Sequence, residues 1–332
     1  MRIDFETQKK PFERPVMTEQ LRNLDPATAG ESDLFNKAMA FREQSETDEA
    51  ISTFESFIVR FPLSPKLAKA KLMRGYWLNK KKDYKSAREQ FEAITKEHPN
   101  QQEAGEAHLR CAYLMLLDKR PDPEVLQRFL PVANGSIPAE DEVRLEAMLR
   151  CAALYYKGKD LETADAAYLA IENATKDPNA QAFAEMQRAG ILLEMAYNGK
   201  RPYSDSRSLC DDLVKKFPNV NIQIRSTASL MALESLAREE NYEEVINRSE
   251  VFFREFLETP EAPIAHFWIA QAYFKTGNSQ MASKILEDIL LYKYDIHKRF
   301  KYVEIDESAK RLASEVYKSL GDMEKSRNIL VK

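Results

Sequence analysis

The side chains that could do chemistry in this chain are few and widely spaced. Arg110 and Arg150 each precede a cysteine, in EAHLRCA at 106–112 and EAMLRCA at 146–152, and Arg188 takes the equivalent place further on. Three guanidiniums at matching places can grip carboxylates or peptide carbonyls through forked hydrogen bonds. Glu106 and Glu146 lie four residues before the first two, a spacing that permits intrahelical ion pairs, and Arg188 has no Glu at that spacing. Catalytic groupings are not seen. His98, His108, His266 and His297 are scattered, with no H-E-x-x-H and no Cys/His set at metal spacing. No phosphate loop or dinucleotide fingerprint appears either. Cys111, Cys151 and Cys210 are an odd, distant set without a C-x-x-C pair and read as small core residues. No catalytic, cofactor-binding or metal residue is therefore assigned, and the chain is expected not to be an enzyme.

Composition narrows the classes further. Lys and Arg number 49 against 53 Asp and Glu, so no whole-protein field draws the chain to nucleic acid or anionic lipid. Only 9 Gly and 15 Pro interrupt a sequence that is 44% hydrophobic and 31% charged, which suits amphipathic helices joined by short turns. No apolar run approaches the roughly 20 residues of a spanning helix. The segment MRIDFETQKK has no apolar core of a secretory signal, so the sequence as it stands reads as cytoplasmic.

The elements that must position the arginines recur. In AKAKLMRGYWLNKKKDYKSAREQFEAITKEHP at 68–99, Gly75, Ala87, Phe91 and Pro99 fill the G, A, F and P positions of the tetratricopeptide pattern. Similar sets follow, with Ala38, Gly75, Ala112, Ala152, Gly190 and Ala270 at the position where paired helices approach closely. Asp83, Asp160, Asn241, Asn278 and Asp322 recur where second helices start and are expected to cap them. Asp122-Pro123 is read as a cap and first-turn proline for a second helix carrying Val125, Phe129 and Val132 inward. The offset between EAHLRCA and EAMLRCA exceeds the about 34 residues of a standard repeat, so extra residues sit in turns.

The chain thus resembles tetratricopeptide-repeat proteins over residues 31–332, with units starting near 31, 68, 105, 145, 183, 226, 263 and 307. The expected fold is all-α, a right-handed superhelical solenoid of about seven to eight helical hairpins, preceded by a non-repeat arm at 1–30. Ile3, Phe5, Phe12, Val16 and Leu21 could dock that arm on the solenoid, the alternative being a disordered leader. The segment from Ala50 to Pro99, with its FPLSP turn and KKDY helix start, also looks like outer-membrane assembly lipoproteins and Tol-associated periplasmic repeat proteins of Gram-negative bacteria. That resemblance implies a periplasmic location entered through an export signal.

In tetratricopeptide domains the arginine position of the first helix faces a concave groove. The resemblance therefore implies a partner-binding groove of Lys69, Tyr76, Asn79, Arg110, Tyr113, Arg150, Tyr156, Gln187, Arg188, Gln271 and Phe274. The carboxylate clamp of chaperone-binding members is not matched, since its places hold Phe35, Met39, Met73, Glu106 and Arg110 and only the last fits. His108 and His266 stand where the family has Trp, and are read as structural. YKYDIHKRFKYV at 292–303 mixes aromatic and basic residues, and is read as packed aromatics with solvated cations rather than a nucleic-acid site. The function expected is a non-catalytic scaffold or adaptor binding a protein or peptide, with no small-molecule substrate and no cofactor. The alternative is a recruiting or regulatory module of an envelope assembly or export complex, or of an enzyme on another chain.

Overall fold

The computed structural model describes residues 15–41, 44–291 and 303–331, and all regular structure among them is helical. After a short α1 (Glu19–Arg22), helices alternate in pairs. The first helices are α2 (Glu31–Ala40), α4 (Leu67–Lys80), α6 (Glu103–Leu117), α8 (Asp141–Lys157), α10 (Pro178–Tyr197), α12 (Ile222–Arg238), α14 (Ala262–Lys275) and α16 (Val303–Ser319). Their partners are α3 (Thr47–Arg60), α5 (Tyr84–Glu97), α7 (Asp122–Ala133), α9 (Leu161–Ala174), α11 (Tyr203–Lys216), α13 (Tyr242–Phe256), α15 (Ser279–Leu290) and α17 (Met323–Val331). Residue contacts divide the chain into two units, Met1–Leu154 and Tyr155–Lys332, with the division inside α8.

One turn joins the two helices of every hairpin from α4/α5 onward. A single residue takes a left-handed conformation: Lys82 (φ 67), Lys119 (φ 56), Lys159 (φ 63), Gly199 (φ 68), Glu240 (φ 59), Gly277 (φ 88) and Gly321 (φ 81). The next amide reaches back over the helix end, as in Asp83 N–H to Leu78 O at 2.9 Å and Asn278 N–H to Tyr273 O at 2.8 Å, so orphan carbonyls are satisfied. In five of these seven hairpins the residue in that place then caps the second helix, the exceptions being those of α7 and α11. Asp83, Asp160, Asn241, Asn278 and Asp322 accept from the amides of Ser86, Thr163, Glu244, Met281 and Lys325, as their sequence positions require. Asp122 does not cap α7. The Arg120-Pro121 insertion lengthens that turn, placing Asp122 inside the first helical turn with no side-chain cap before it.

Each unit has its own core. In the first, Leu34, Phe54, Phe57 and Trp77 form one cluster and Leu72, Phe91, Ile94 and Cys111 another; Val125, Phe129 and Val132 are fully buried on α7. In the second, Ala189, Cys210 and Leu213 lead into a larger cluster around Phe252, Ile269, Leu286 and Val316. Ala87, Ala164 and Ala282 are fully buried. The small residues of the first helices are not equivalent, however. A Cβ on Gly75 would stand 2.5 Å from the Phe91 ring, whereas one on Gly190 would meet only Met231 Sδ at 3.6 Å, an ordinary contact. The expectation of close approach therefore fails at Gly190. An unforeseen close approach occurs at Gly105, where a Cβ would lie 2.5 Å from Ala139 Cβ. The α7–α8 loop, which holds the extra residues of the longer repeat, docks there through Gly105 N–H to Pro138 O at 3.2 Å.

The described part of the N-terminal arm is docked. Buried Lys37 donates to Arg22 O at 2.9 Å and Leu24 O at 2.6 Å, and Arg60 donates to Pro26 O at 2.5 Å and Ala29 O at 2.8 Å. Two cations on the first hairpin thus hold four backbone carbonyls. Met17 and Leu24 pack on the first core, while Val16, expected to dock, is exposed because the chain turns its other face inward. Ile3, Phe5 and Phe12, and residues 292–302 with His297, lie outside the described residues.

Candidate functional site

In the first unit, α4 and α6 pack side by side, as do α10 and α12, and α12 and α14, in the second. First helices therefore form a face of their own, and the polar residues on it are tied together across hairpins. The Tyr76 hydroxyl on α4 donates to Glu106 on α6, and Arg110 Nε, four residues on, contacts Glu106 at 2.8 Å and the Tyr76 oxygen at 3.0 Å. The guanidinium also lies over the Tyr76 ring at 4.9 Å. Burial, with Glu106 adding to it and Arg110 opposing it, pushes the Tyr76 hydroxyl far above its ordinary range. Burial works against Arg110's charge, but Tyr76 and Glu106 outweigh it and the cation is held more firmly than usual. This rung is a satisfied strut between neighbouring hairpins.

The same arrangement recurs one hairpin on with a different outcome. Tyr113 donates to Glu146 on α8, and Arg150 Nε donates to the Tyr113 oxygen at 2.8 Å with the guanidinium over the ring at 5.1 Å. Burial and the bond to Glu146 raise the Tyr113 hydroxyl, so it stays a neutral donor. Glu146 is thereby engaged by tyrosine, and no carboxylate within ion-pair distance faces Arg150 among the described residues. Arg150 is exposed. Lys69 lies half-buried on α4 and Asn79 is exposed at its end.

In the second unit Arg188, which has no glutamate at helical spacing, is the most fully paired of the three. It donates to Asp165 at 2.9 Å and Glu172 at 3.3 Å, both on α9, and Lys216 joins Glu172 at 3.0 Å and the buried Glu185 at 3.4 Å. Burial raises the Glu185 carboxyl, partly offset by Lys216. Tyr156 donates to Glu194 at 2.8 Å, and Lys159 meets the same carboxylate at 2.7 Å; burial and that bond bring the hydroxyl to about 12. Gln187 is half-buried beside Arg188, and Gln271 and Phe274 are half-buried on α14, where Phe274 packs on the larger core.

A further rung lies in this unit. Burial, then Glu234, pushes the Tyr197 hydroxyl up; Arg238 follows Glu234 by four residues, and its guanidinium stands over both Tyr197 at 5.2 Å and Trp268 at 5.0 Å. The signal was available in sequence, since E-x-x-x-R at 234–238 repeats the spacing of 106–110 and 146–150. His266 is buried beside Phe253, and burial, then Arg128, lowers His108 to about 4. The three cysteines are buried and free, with thiols pushed up by burial to about 11, 12 and 12. Among the described residues no helix is long and apolar enough to cross a membrane.

Paired helices meeting at small residues, joined by one recurrent turn and stacked first helix against first helix within each unit, define the class of fold, stacked helical hairpins of the tetratricopeptide type. More particularly, residues 28–113 match the outer membrane lipoprotein family YfiO, to which this part of the chain is similar. No match is found among curated protein sequences. Among solved structures, a tetratricopeptide repeat protein from Parabacteroides merdae is similar at 13% identity and a TM-score of 0.45, covering 86% of this chain and 98% of that one. The P58(IPK) TPR domain is similar at 15% identity and 0.32, covering 88% and 89%. The assembly chaperone of RpL4, Acl4, is similar at 12% and 0.31, covering 90% and 100%.

Proposed function

We propose that the protein is a non-catalytic scaffold whose first-helix faces bind a peptide or protein partner. The observation that carries this reading is Arg150. Its Nε is held by the Tyr113 hydroxyl and its guanidinium by the Tyr113 ring while the residue is exposed, so a partner's acceptor meets an oriented donor with little rotamer entropy left to lose. Tyr156 adds an exposed aromatic surface on the second unit's part of the same helix. Tyr76, Arg110 and Arg188, buried or fully paired, hold neighbouring helices in place and support the face rather than contact the partner. The similarity of residues 28–113 to an outer membrane lipoprotein family favours a role in an envelope complex and a periplasmic location.

Affinity capture from the native source tests this with the intact protein, Arg150→Glu combined with Tyr113→Ala, and Arg120→Glu as an exposed control off this face. Loss of capture by the double variant alone, with helicity retained, is the expected result. Equal capture by all three removes the proposed face.

A further inference from the structure

We propose that Arg238 is a carboxylate anchor on the second unit, binding an acidic side chain of an extended peptide; the proposal rests on the scaffold reading above. Tyr197 and Trp268 both lie against the guanidinium. Aromatic cover leaves the edge, with its N–H fork, as the part open to a ligand, and planar in-plane donors match a carboxylate bidentately. Within the chain that fork is poorly used. Among the described residues its one carboxylate contact is Nη2 to Glu234 Oε1 at 3.5 Å, against 2.6 Å for Arg110 to Glu106 and 2.9 Å for Arg188 to Asp165. Burial, then the nearby Glu234 carboxylate, pushes the Tyr197 hydroxyl up and keeps it protonated.

The Arg238 side chain remains 45% exposed, and Tyr197 is 44% exposed, so a ligand can reach both. An acidic side chain supplies the acceptor that the open edge of Arg238 lacks, while apolar neighbours in the peptide cover the exposed Tyr197 ring and the face of Trp268.

The test uses protein carrying 5-fluorotryptophan at its two tryptophans, Trp77 and Trp268, and two capped peptides of about eight residues, alternating Leu-Glu and alternating Leu-Gln. The Leu-Glu peptide is expected to move the Trp268 fluorine signal saturably and leave Trp77 unmoved. The Leu-Gln twin should bind about tenfold or more weakly, the effect of losing a charge-assisted pair. Arg238→Gln should abolish the response, Arg238→Lys should weaken it, and Arg150→Gln should leave it unchanged. An unmoved Trp268 signal at about 1 mM peptide, equal binding of the twins, or an unchanged response in folded Arg238→Gln overturns the proposal. Because Arg150→Gln is scored separately, partner capture that depends on Arg150 stands or falls independently of Arg238.

Discussion

Replacing Gly75 and Gly190 by alanine should change stability in opposite directions, although both glycines occupy the same position of the repeat. Each lies within a long helix, where alanine is favoured over glycine by about 1 kcal/mol. At Gly190 nothing offsets that gain, because the added Cβ meets only Met231 Sδ at 3.6 Å. At Gly75 the Cβ would lie 2.5, 2.9 and 3.0 Å from three ring carbons of Phe91. That ring is 1% exposed and packed edge-on against Tyr76 at 6.0 Å, so it cannot swing away. Restoring contact distance requires the ring or helix α5 to move by about 1 Å, and overpacking of this kind costs about 1–3 kcal/mol. Gly75→Ala is therefore expected to destabilise by about 1–2 kcal/mol and Gly190→Ala to stabilise by about 0.5–1 kcal/mol. Urea unfolding followed by tryptophan emission separates them, since Trp77 lies on α4 and Trp268 in the unit that holds Gly190. A Gly75→Ala protein as stable as the parent would refute the packing argument.

Further outcomes follow from the turns and the buried groups. Lys82→Gly and Lys119→Gly, at φ 67 and φ 56, should each stabilise by about 0.5–1 kcal/mol, because relief of left-handed strain exceeds the entropy of glycine; denaturant midpoints check this. His108, lowered to about 4 by burial and then by Arg128, takes up fewer protons folded than unfolded. Its contribution is complete above about pH 6.5 and is lost as pH falls towards 4, so His108→Gln should flatten that part of the stability profile. Cys111, Cys151 and Cys210 should resist thiol reagents at about pH 8 until the protein is unfolded, since their thiols stay protonated and buried; a quantitative thiol titration with and without urea decides.

The all-α repeat fold was legible because its signals are local. An Asp or Asn cap follows the left-handed turn residue by one position, and Ala87 or Phe91 stands at fixed spacing from it, so a short window contains the evidence. The candidate site was legible only as a face. Tyr113, Arg150 and Tyr156 can be placed on first helices by spacing, but their bonds run to residues 33 to 38 positions away. Helical spacing even misled: Arg150, with a glutamate four residues before it, bonds a tyrosine, while Arg188, with none, pairs with two carboxylates from α9. Likewise Gly75 and Gly190 cannot be told apart without knowing that Phe91 faces one and Met231 the other.

The central claim, that partners bind on the first helices, is tested most directly by site-specific photo-crosslinking in the native source. A benzophenone side chain would be placed at Tyr113, Tyr156 or Gln271 on first helices, and at the exposed Val59, Leu169 or Val251 on second helices. The account predicts partner adducts from the first set and none from the second. Adducts confined to Val59, Leu169 or Val251 would contradict it.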